Sequence, residues 1–166
     1  MKEANGFELE RPATRLEGLI MLIRLTGGDA LSQKSDPGKN PFQDVPVWAN
    51  SQAERYVAYA FEKGYTKGVS EKRFDPSGVV SPEQFMTFIL RALGYADGDD
   101  FVWDFSIEKA VSLGIISAAE ASELRRSFNR DQVILASYRA LNAKLKNSDK
   151  TLLEKLTASG AVGAEN

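Results

Sequence analysis

The sequence predicts an all-α fold built from three related helix pairs. Three segments, residues 14–27, 81–94 and 129–142, align without gaps and carry the same signals for the start and end of a helix. A second type of segment follows each of them, with apolar residues at helical spacing before a glycine. The chain has 166 residues, of which 43% are hydrophobic and 27% charged, so it is large enough and apolar enough for one ordinary globular core.

The first three segments, which we call A-type helices, begin with residues that suit a helix N-terminus. These cap residues are Thr14, Ser81 and Asn129. Three positions later each segment has a residue that can reach back and close a capping box, namely Glu17, Gln84 and Gln132. Pro82 follows its cap directly and suits the first helical position, which needs no N–H donor. Each A-type helix is therefore expected to run for about 13 residues from a defined start.

The A-type helices also share an ending. The residues after the last turn are Gly27, Gly94 and Asn142, which we expect to adopt the left-handed conformation that ends many helices. An arginine stands three positions earlier in each copy, at Arg24, Arg91 and Arg139. We interpret these arginines as structural, because a cation in the last turn complements the helix dipole and its stem covers apolar surface.

The B-type helices are predicted at residues 51–63, 106–113 and 151–159, each followed by a glycine. Aligned on that glycine, they share two apolar columns that form one helical stripe. The first column is Val57, Ile107 and Leu153, and the second is Ala60, Ala110 and Leu156. One pair of helices cannot bury its apolar face alone, so the three pairs are expected to share a core.

Composition excludes several function classes. The chain has no Cys and no His, which rules out thiol nucleophiles, Ser–His pairs and the usual zinc ligands. A formal net charge of −2 gives no reason to expect nucleic acid as a partner. The chain has no apolar run of the roughly 18 residues that a membrane span needs. We expect no cofactor, no bound metal and no enzymatic activity; the turn at residues 97–100 resembles a calcium loop but has the wrong order of ligands.

Three short motifs resemble one known family. Residues 42–49 read FQDVPVWA, residues 56–68 read YVAYAFEKGYTKG, and Phe74-Asp75-Pro76 precedes the capped helix at Ser81. In this order they resemble the S-layer homology (SLH) domain, a cell-wall-binding module of Gram-positive bacterial surface proteins. Residues 6–17 resemble the end of the same motif. The third repeat lacks the FxDVP element, so the resemblance is weaker there.

The resemblance implies a pseudo-threefold bundle of three helix–loop–helix repeats, with long loops at residues 27–47 and 64–80. Residues 1–166 would form one domain with approximate repeats at 1–28 (a partial first motif), 42–95 and 99–145, and a closing helix at 149–162. Since a B-type helix is missing before Thr14, we expect a truncated N-terminus and uncovered apolar surface beside residues 16–25. Either the closing helix covers that face or a second chain does, as a homodimer.

The resemblance also implies a function. A non-catalytic module would anchor its parent protein by binding secondary cell-wall polysaccharide attached to peptidoglycan, through an acidic and often pyruvylated sugar in grooves between repeats. It would be located outside the cell, at the cell surface or cell wall, after loss of a signal peptide. The alternative is a structural or self-assembly module that has lost glycan binding. A small helical enzyme is the least favoured hypothesis, because no carboxylate pair suggests catalysis.

Two arginines are the main candidates for glycan contacts. Arg15 and Arg130 each occupy the first position of an A-type helix and match the arginine of the family motif. At such a position an anion would be attracted both by the guanidinium charge and by the free N–H groups of the helix N-terminus. The alternative is that each arginine is a solvated surface residue. Pro82 takes this position in the middle copy, so we expect the groove there to be altered.

Asp44 and Trp48 complete the predicted ligand-binding set. Trp48 and Trp103 precede the first two B-type helices, where an indole can stack on a sugar, although we favour a place in the core for both. Asp44 is expected to cap the turn before Trp48, with a ligand role as the alternative. Five aromatic residues at helical spacing are predicted to be mostly core, namely Tyr56, Tyr59, Phe61, Phe85 and Phe88.

Overall fold

The structure is a computed structural model that describes residues 8–45 and 52–160. Its helices are α1 (Arg15–Leu25), α2 (Asp29–Ser32), α3 (Ala53–Glu62), α4 (Pro82–Ala92), α5 (Ser106–Ser112), α6 (Ala118–Arg126), α7 (Arg130–Leu141) and α8 (Leu152–Ala158). Single 3₁₀ turns lie at Pro37–Lys39 and Trp103–Phe105. Within the described ranges there are isolated β-bridges but no strand. The prediction of an all-α fold is confirmed.

The A-type helices are α1, α4 and α7, and their N-termini form as predicted with one exception. Thr14 and Ser81 close complete capping boxes. Asn129 accepts from the backbone N–H of Gln132, but the Gln132 side chain does not return the bond, and its buried Oε1 has no partner in the described part of the chain. Local chemistry thus fixes where all three helices begin.

The prediction of a left-handed residue at the end of each A-type helix is right for two copies. Gly27 and Gly94 have φ of 69° and 96°. It is wrong for Asn142, which has φ of −88° and keeps a right-handed helical conformation. The N–H of Asn142 bonds back to the carbonyl of Arg139, and that of Ala143 to the carbonyl of Ala140, so the helix tightens by a further turn instead of reversing.

The B-type helices are α3, α5 and α8, and the glycines that follow them all have φ between 69° and 74°. Val57, Ile107 and both alanines of the predicted stripe are fully buried. The prediction is wrong for Leu153, which is 37% exposed. Helix α8 buries Leu152 and Leu156 instead, because the N–H of Leu152 bonds to the carbonyl of Ala143 and turns that side of the helix to the core.

The sequence patterns missed two helices. Helix α2 lies in the segment 27–47 that was predicted to be a loop. Helix α6 begins with a full capping box between Ser117 and Glu120, so its start signal was present. Only Ala121 and Leu124 of α6 are buried, which leaves too few apolar residues for a recognisable stripe.

The core forms where α1, α4 and α7 meet, since each of these helices contacts the other two. Helix α3 packs on α1, α5 on α4 and α8 on α7. Four of the five aromatics predicted to be core are buried; Phe61 is 41% exposed, with its ring edge against Phe42. The pseudo-threefold relation of the repeats and the division into approximate repeats stay predictions.

An apolar groove remains open between α1 and α7. It encloses about 390 Å³ and contains no residue of α8, whose main neighbour is α7. The groove is lined mainly by Met21, Leu25, Ile134, Tyr138 and Leu141. We predicted that either the closing helix or a second chain covers this face. The closing helix α8 does not cover the groove.

Among the described residues, no helix combines the length and apolar character needed to cross a bilayer.

Candidate ligand-binding site

Arg15 is buried between two aromatic rings at the start of α1. The residue is only 3% exposed, and its Nε donates a 2.8 Å hydrogen bond to the carbonyl of Phe74. Its guanidinium carbon lies 5.1 Å from the ring centre of Phe74 and 5.3 Å from that of Phe88. Neither Nη atom has a hydrogen-bond partner in the described part of the chain. The side chain is therefore held rigidly with two N–H₂ groups left over for a ligand.

The N–H groups at the start of α1 are not free, contrary to the prediction. The N–H of Arg15 donates to the carbonyl of Gly78 at 2.8 Å, and that of Leu16 donates to the carbonyl of Pro76 at 3.2 Å. Thr14 Oγ1 accepts from the N–H of Glu17. Because the loop before α4 occupies this helix end, an anion at Arg15 would meet the guanidinium charge but not the backbone donors.

Arg15 opens into a cavity of about 270 Å³, which we call the Arg15 pocket. Its walls are the start of α1, the turn at residues 67–69, one face of α4, and residues 97 and 103. The side chains that bring polar or aromatic chemistry to it are Arg15, Lys67, Gln84, Arg91, Asp97 and Trp103. The predicted long loop at 64–80 thus contributes directly to the pocket.

The Arg15 pocket carries net positive charge. Arg91, whose side chain is 10% exposed, donates from Nη2 to Asp97 Oδ2 at 3.0 Å, and its buried Nε has no partner among the described residues. Lys67 makes no hydrogen bond or ion pair with any described residue. Asp97 is the one carboxylate among the pocket-lining residues of the described ranges, facing three cations. Such a cavity suits an anionic ligand.

Burial disfavours the charges in this pocket. It lowers the pKa of Arg15 to about 10, with a smaller contribution from the neighbouring Arg91 and partial opposition from Asp75 and Asp44. Burial likewise lowers the pKa of Arg91, although Asp97 opposes the change. Both groups are still protonated at neutral pH. An anion bound beside them would relieve the cost of burying their charges.

Gly68 allows the turn that carries Lys67 to the pocket. Its φ is +75°, in the region that favours glycine. A Cβ at this position would lie 2.5 Å from the carbonyl oxygen of Arg73 and 2.7 Å from that of Ser70, and would also overlap the ring of Phe42. The turn can close in this form only around glycine.

Asp44 supports Arg15 from behind; the turn before Trp48 that it was predicted to cap lies outside the described residues. Its two carboxylate oxygens accept 2.8 Å hydrogen bonds from the backbone N–H groups of Phe74 and Asp75. Burial alone would raise the pKa of Asp44, but these hydrogen bonds outweigh it and the net pKa is lowered. Asp44 is thereby placed to position the Phe74 ring and carbonyl that hold Arg15, and it is not among the residues lining the pocket. A direct ligand role for Asp44 stays a prediction.

The other predicted site residues lie apart from the pocket or outside the described residues. Arg130 lies 4.0 Å from carboxylate oxygens of both Glu8 and Glu17, so its charge is already compensated. Trp48 falls in the segment 46–51, outside the described residues. Trp103 was predicted to be core but is 46% exposed at the edge of the Arg15 pocket, because it sits in a short 3₁₀ turn above α4.

Part of the chain is similar to known proteins. Residues 41–86 match the family model described as the S-layer homology domain. This segment resembles the S-layer homology family. A cell surface protein from Thermoanaerobacter kivui is 32% identical over 66% of the chain, and the aligned part makes up 14% of that protein. No solved structure matches the chain.

These matches confirm the predicted resemblance to the S-layer homology domain. The S-layer homology domain is a binding module and not a catalytic family, which indicates anchoring at the cell surface or cell wall. The matched segment includes Asp44, Lys67, Phe74 and Gln84, and so forms one wall of the Arg15 pocket. Sequence reasoning had missed Lys67 as a site residue and read Arg91 as structural only; the one available signal was the position of Lys67 in the motif at residues 56–68.

Proposed function

We propose that this chain anchors its parent protein by binding an acidic sugar of secondary cell-wall polysaccharide in the Arg15 pocket. The observation that carries the proposal is the set of cationic donors that line the pocket without a partner among the described residues, namely both Nη atoms of Arg15 and the ammonium of Lys67. A carboxylate, such as that of a pyruvylated sugar, offers two acceptor oxygens to the fork of Arg15.

The remaining pocket residues suit the rest of a sugar. The Oε1 of Gln84 accepts from the N–H of Ser81, which leaves its NH₂ group to donate to a hydroxyl. Trp103 is half exposed at the pocket edge and presents an apolar surface on which a sugar ring can lie. Charge, hydrogen bonding and an aromatic surface therefore converge on one small cavity.

A wall pull-down tests the proposal. Purified cell-wall sacculi are incubated with the chain before and after chemical removal of the secondary polysaccharide. We expect the chain to pellet with intact walls only. Lys67→Ala should weaken binding by roughly tenfold, because it removes a charge-assisted contact. Lys63→Ala is the matched control, since Lys63 is exposed over the ring of Tyr59 and does not line the pocket. Equal pelleting with stripped walls would exclude this function.

A second candidate function, self-assembly through a homodimer, is favoured by the groove between α1 and α7. Ile134 and Tyr138 of this groove are exposed, and a second copy could cover them. Light scattering after size-exclusion chromatography should then show a concentration-dependent dimer that Ile134→Ser abolishes. A monomer at every concentration would leave wall binding as the only supported role.

A further inference from the structure

We propose that the groove between α1 and α7 docks one amphipathic helix of a separate polypeptide, with the residue pattern of the B-type helices. The groove shares no lining residue with the Arg15 pocket, so its occupant is independent of the wall polysaccharide. It also differs from the second copy considered above. Because α1, α4 and α7 each contact the other two, the chain has three grooves between A-type helices, and the other two show what fills such a groove.

The exposed face of α7 corresponds to a buried face in the other two A-type helices. Five and nine positions after the cap, side chains lie about one helical turn apart on the same face. In α7 these residues are Ile134 and Tyr138, and both are exposed. The third copy thus keeps large apolar side chains in a groove that the fold does not cover, which marks an interaction surface. In α1 and α4 the residues at the same two positions are buried, namely Leu19, Ile23, Met86 and Leu90.

A B-type helix fills the equivalent groove between α1 and α4. Helix α3 packs on α1, and its Val57 and Ala60 are fully buried. The turn directly after α3 reaches α4, because Nη1 of Arg91 donates to the carbonyl of Tyr65 at 3.4 Å. Helix α5 bridges the next groove in the same way, since it packs on α4 and its C-terminal end lines one cavity together with the end of α7. A helix with a narrow apolar stripe is therefore what this chain itself places in such grooves.

Helix α8 leaves the groove open because it starts at the opposite end of its A-type helix from α5. Helix α5 begins beside the start of α4, where Ser106 Oγ donates to the carbonyl of Glu83 at 2.8 Å, so residues 95–105 return along α4 before the helix begins. Helix α8 begins beside the end of α7, where the N–H of Leu152 bonds to the carbonyl of Ala143. It packs near that end, and the described residues thus supply no B-type helix for the groove.

The chemistry of the groove suits an apolar stripe. Ser137 is buried, and its Oγ donates to the carbonyl of Val133 at 2.7 Å. Arg24 is the charged residue of the lining within the described ranges, and its Nε already donates to Asp29. The remaining lining residues are aliphatic or aromatic. Burial of these side chains against a helix is favourable, whereas an anion would meet only a cation that is already paired.

Arg24 gives the docked helix a direction. It holds the same position on α1 as Arg91 does on α4, and Arg91 bonds to the carbonyl of Tyr65 just beyond the C-terminus of α3. Arg24 is exposed at the end of the groove that Leu25 and Leu141 also line. The docked helix should therefore place its C-terminal carbonyls at Arg24, where a cation also complements the helix dipole.

Fluorescence anisotropy with a labelled peptide of residues 52–64, which contains α3, tests the docking. We expect saturable binding to the full chain, and we expect Ile134→Ser to weaken it by about tenfold or more, because one aliphatic anchor is lost. Leu31→Ser is the matched control, since Leu31 is also exposed but does not line the groove. A peptide with Val57→Asp should not bind, because the substitution places a charge in the apolar stripe.

Spin labels on the peptide test the direction. The chain has no Cys, so a nitroxide linked through a cysteine added to the peptide stays on the peptide. At the peptide's C-terminus it should broaden the amide NMR signals of Leu25 and Leu141. At the N-terminus it should broaden those of Glu17 and Arg130, which lie together at the other end of α1 and α7.

Four outcomes would overturn the inference. Three are an absence of saturable binding, equal affinity of the peptide for Ile134→Ser and the unchanged chain, and the reverse pattern of broadening. The fourth is a concentration-dependent dimer that excess peptide does not dissociate, because a second copy would then fill the groove. Lys67→Ala should weaken binding to wall polysaccharide but leave the peptide affinity unchanged, so failure of this inference and failure of the proposed function can be told apart.

Discussion

At the scale of single residues, Arg15 combines a structural cost with a binding capacity. Its charge is buried between Phe74 and Phe88, and within the described ranges it makes one hydrogen bond and no salt bridge to a carboxylate. Burying a charge without a full set of partners is unfavourable, and cation–π contacts offset part of that cost. An anionic ligand would offset the rest of that cost by pairing with the guanidinium.

Arg15→Met should therefore remove ligand binding without unfolding the protein. Methionine fills similar space between the two rings, and loss of the buried charge offsets loss of its contacts, so we expect the free energy of unfolding to change by less than about 1.5 kcal/mol. Urea unfolding followed by circular dichroism measures this, with the exposed Arg126→Met as control. A loss of several kcal/mol would show that Arg15 serves mainly to hold the fold.

Gly68 is the second residue at which backbone geometry decides the site. Gly68→Ala should destabilise the protein by roughly 2–4 kcal/mol, because it adds a steric clash to the strain of positive φ. Gly64→Ala isolates the strain alone, since Gly64 has φ of 74° and nothing within 4 Å of an added Cβ. Equal losses in the two variants, measured by urea unfolding, would mean that the turn relaxes to admit the methyl group.

At the scale of secondary-structure elements, α6 distinguishes one end of the bundle. Arg125 of α6 lies 2.6 Å from Glu108 and 3.6 Å from Glu83 at the start of α4, where Pro82 replaces the motif arginine. The ring of Phe128 packs against Phe85 beside them. The position on α4 that corresponds to Arg15 is a proline, with an ion pair and helix α6 beside it. None of the described residues offers a free cationic donor there.

This arrangement predicts one acidic-sugar site per chain. Calorimetric titration with purified polysaccharide fragments of a single repeating unit should give a stoichiometry near one, abolished by Arg15→Met. Arg130 does not add a second site in this view, because Glu8 and Glu17 already face its guanidinium. Retention of one binding event in Arg15→Met would place an acidic-sugar site elsewhere.

At the scale of the whole molecule, stability should depend on carboxylates and not on imidazoles. The chain has no His. Several carboxyl groups have lowered pKa values because hydrogen bonds or cations stabilise their charged forms, among them Glu17, Asp44, Asp100, Glu120 and Glu154. An acid whose pKa is lower in the folded state stabilises the fold above its unfolded pKa and loses that contribution as pH falls.

We therefore expect a constant melting temperature between about pH 5.5 and 8, and a fall below about pH 4.5 as the carboxyl groups take up protons. Thermal melts by circular dichroism across this range measure the dependence. The tyrosines and arginines with shifted pKa values titrate at higher pH and do not enter this window. A transition centred near pH 6.5 would contradict this account of the charged groups.

Much of the fold could be predicted because its signals are local. A capping box needs residues three apart, and Thr14–Glu17 and Ser81–Gln84 form the boxes that their spacing indicated. Glycines with positive φ after α1, α3, α4, α5 and α8 follow the same logic. Helix α6 shows the limit, because its capping box was present but its apolar stripe was too short to be recognised.

The sequence by itself determined the helical class, the starts of the A-type helices, the family resemblance and the choice of Arg15. Only the tertiary structure decided that Arg15 is buried, that its helix N–H groups are already bonded, and that Lys67, Arg91 and Trp103 join it. The physical reason is distance along the chain: the contact between Arg15 and Phe74 joins residues 59 positions apart. Such contacts depend on how helices pack together, which no local spacing records.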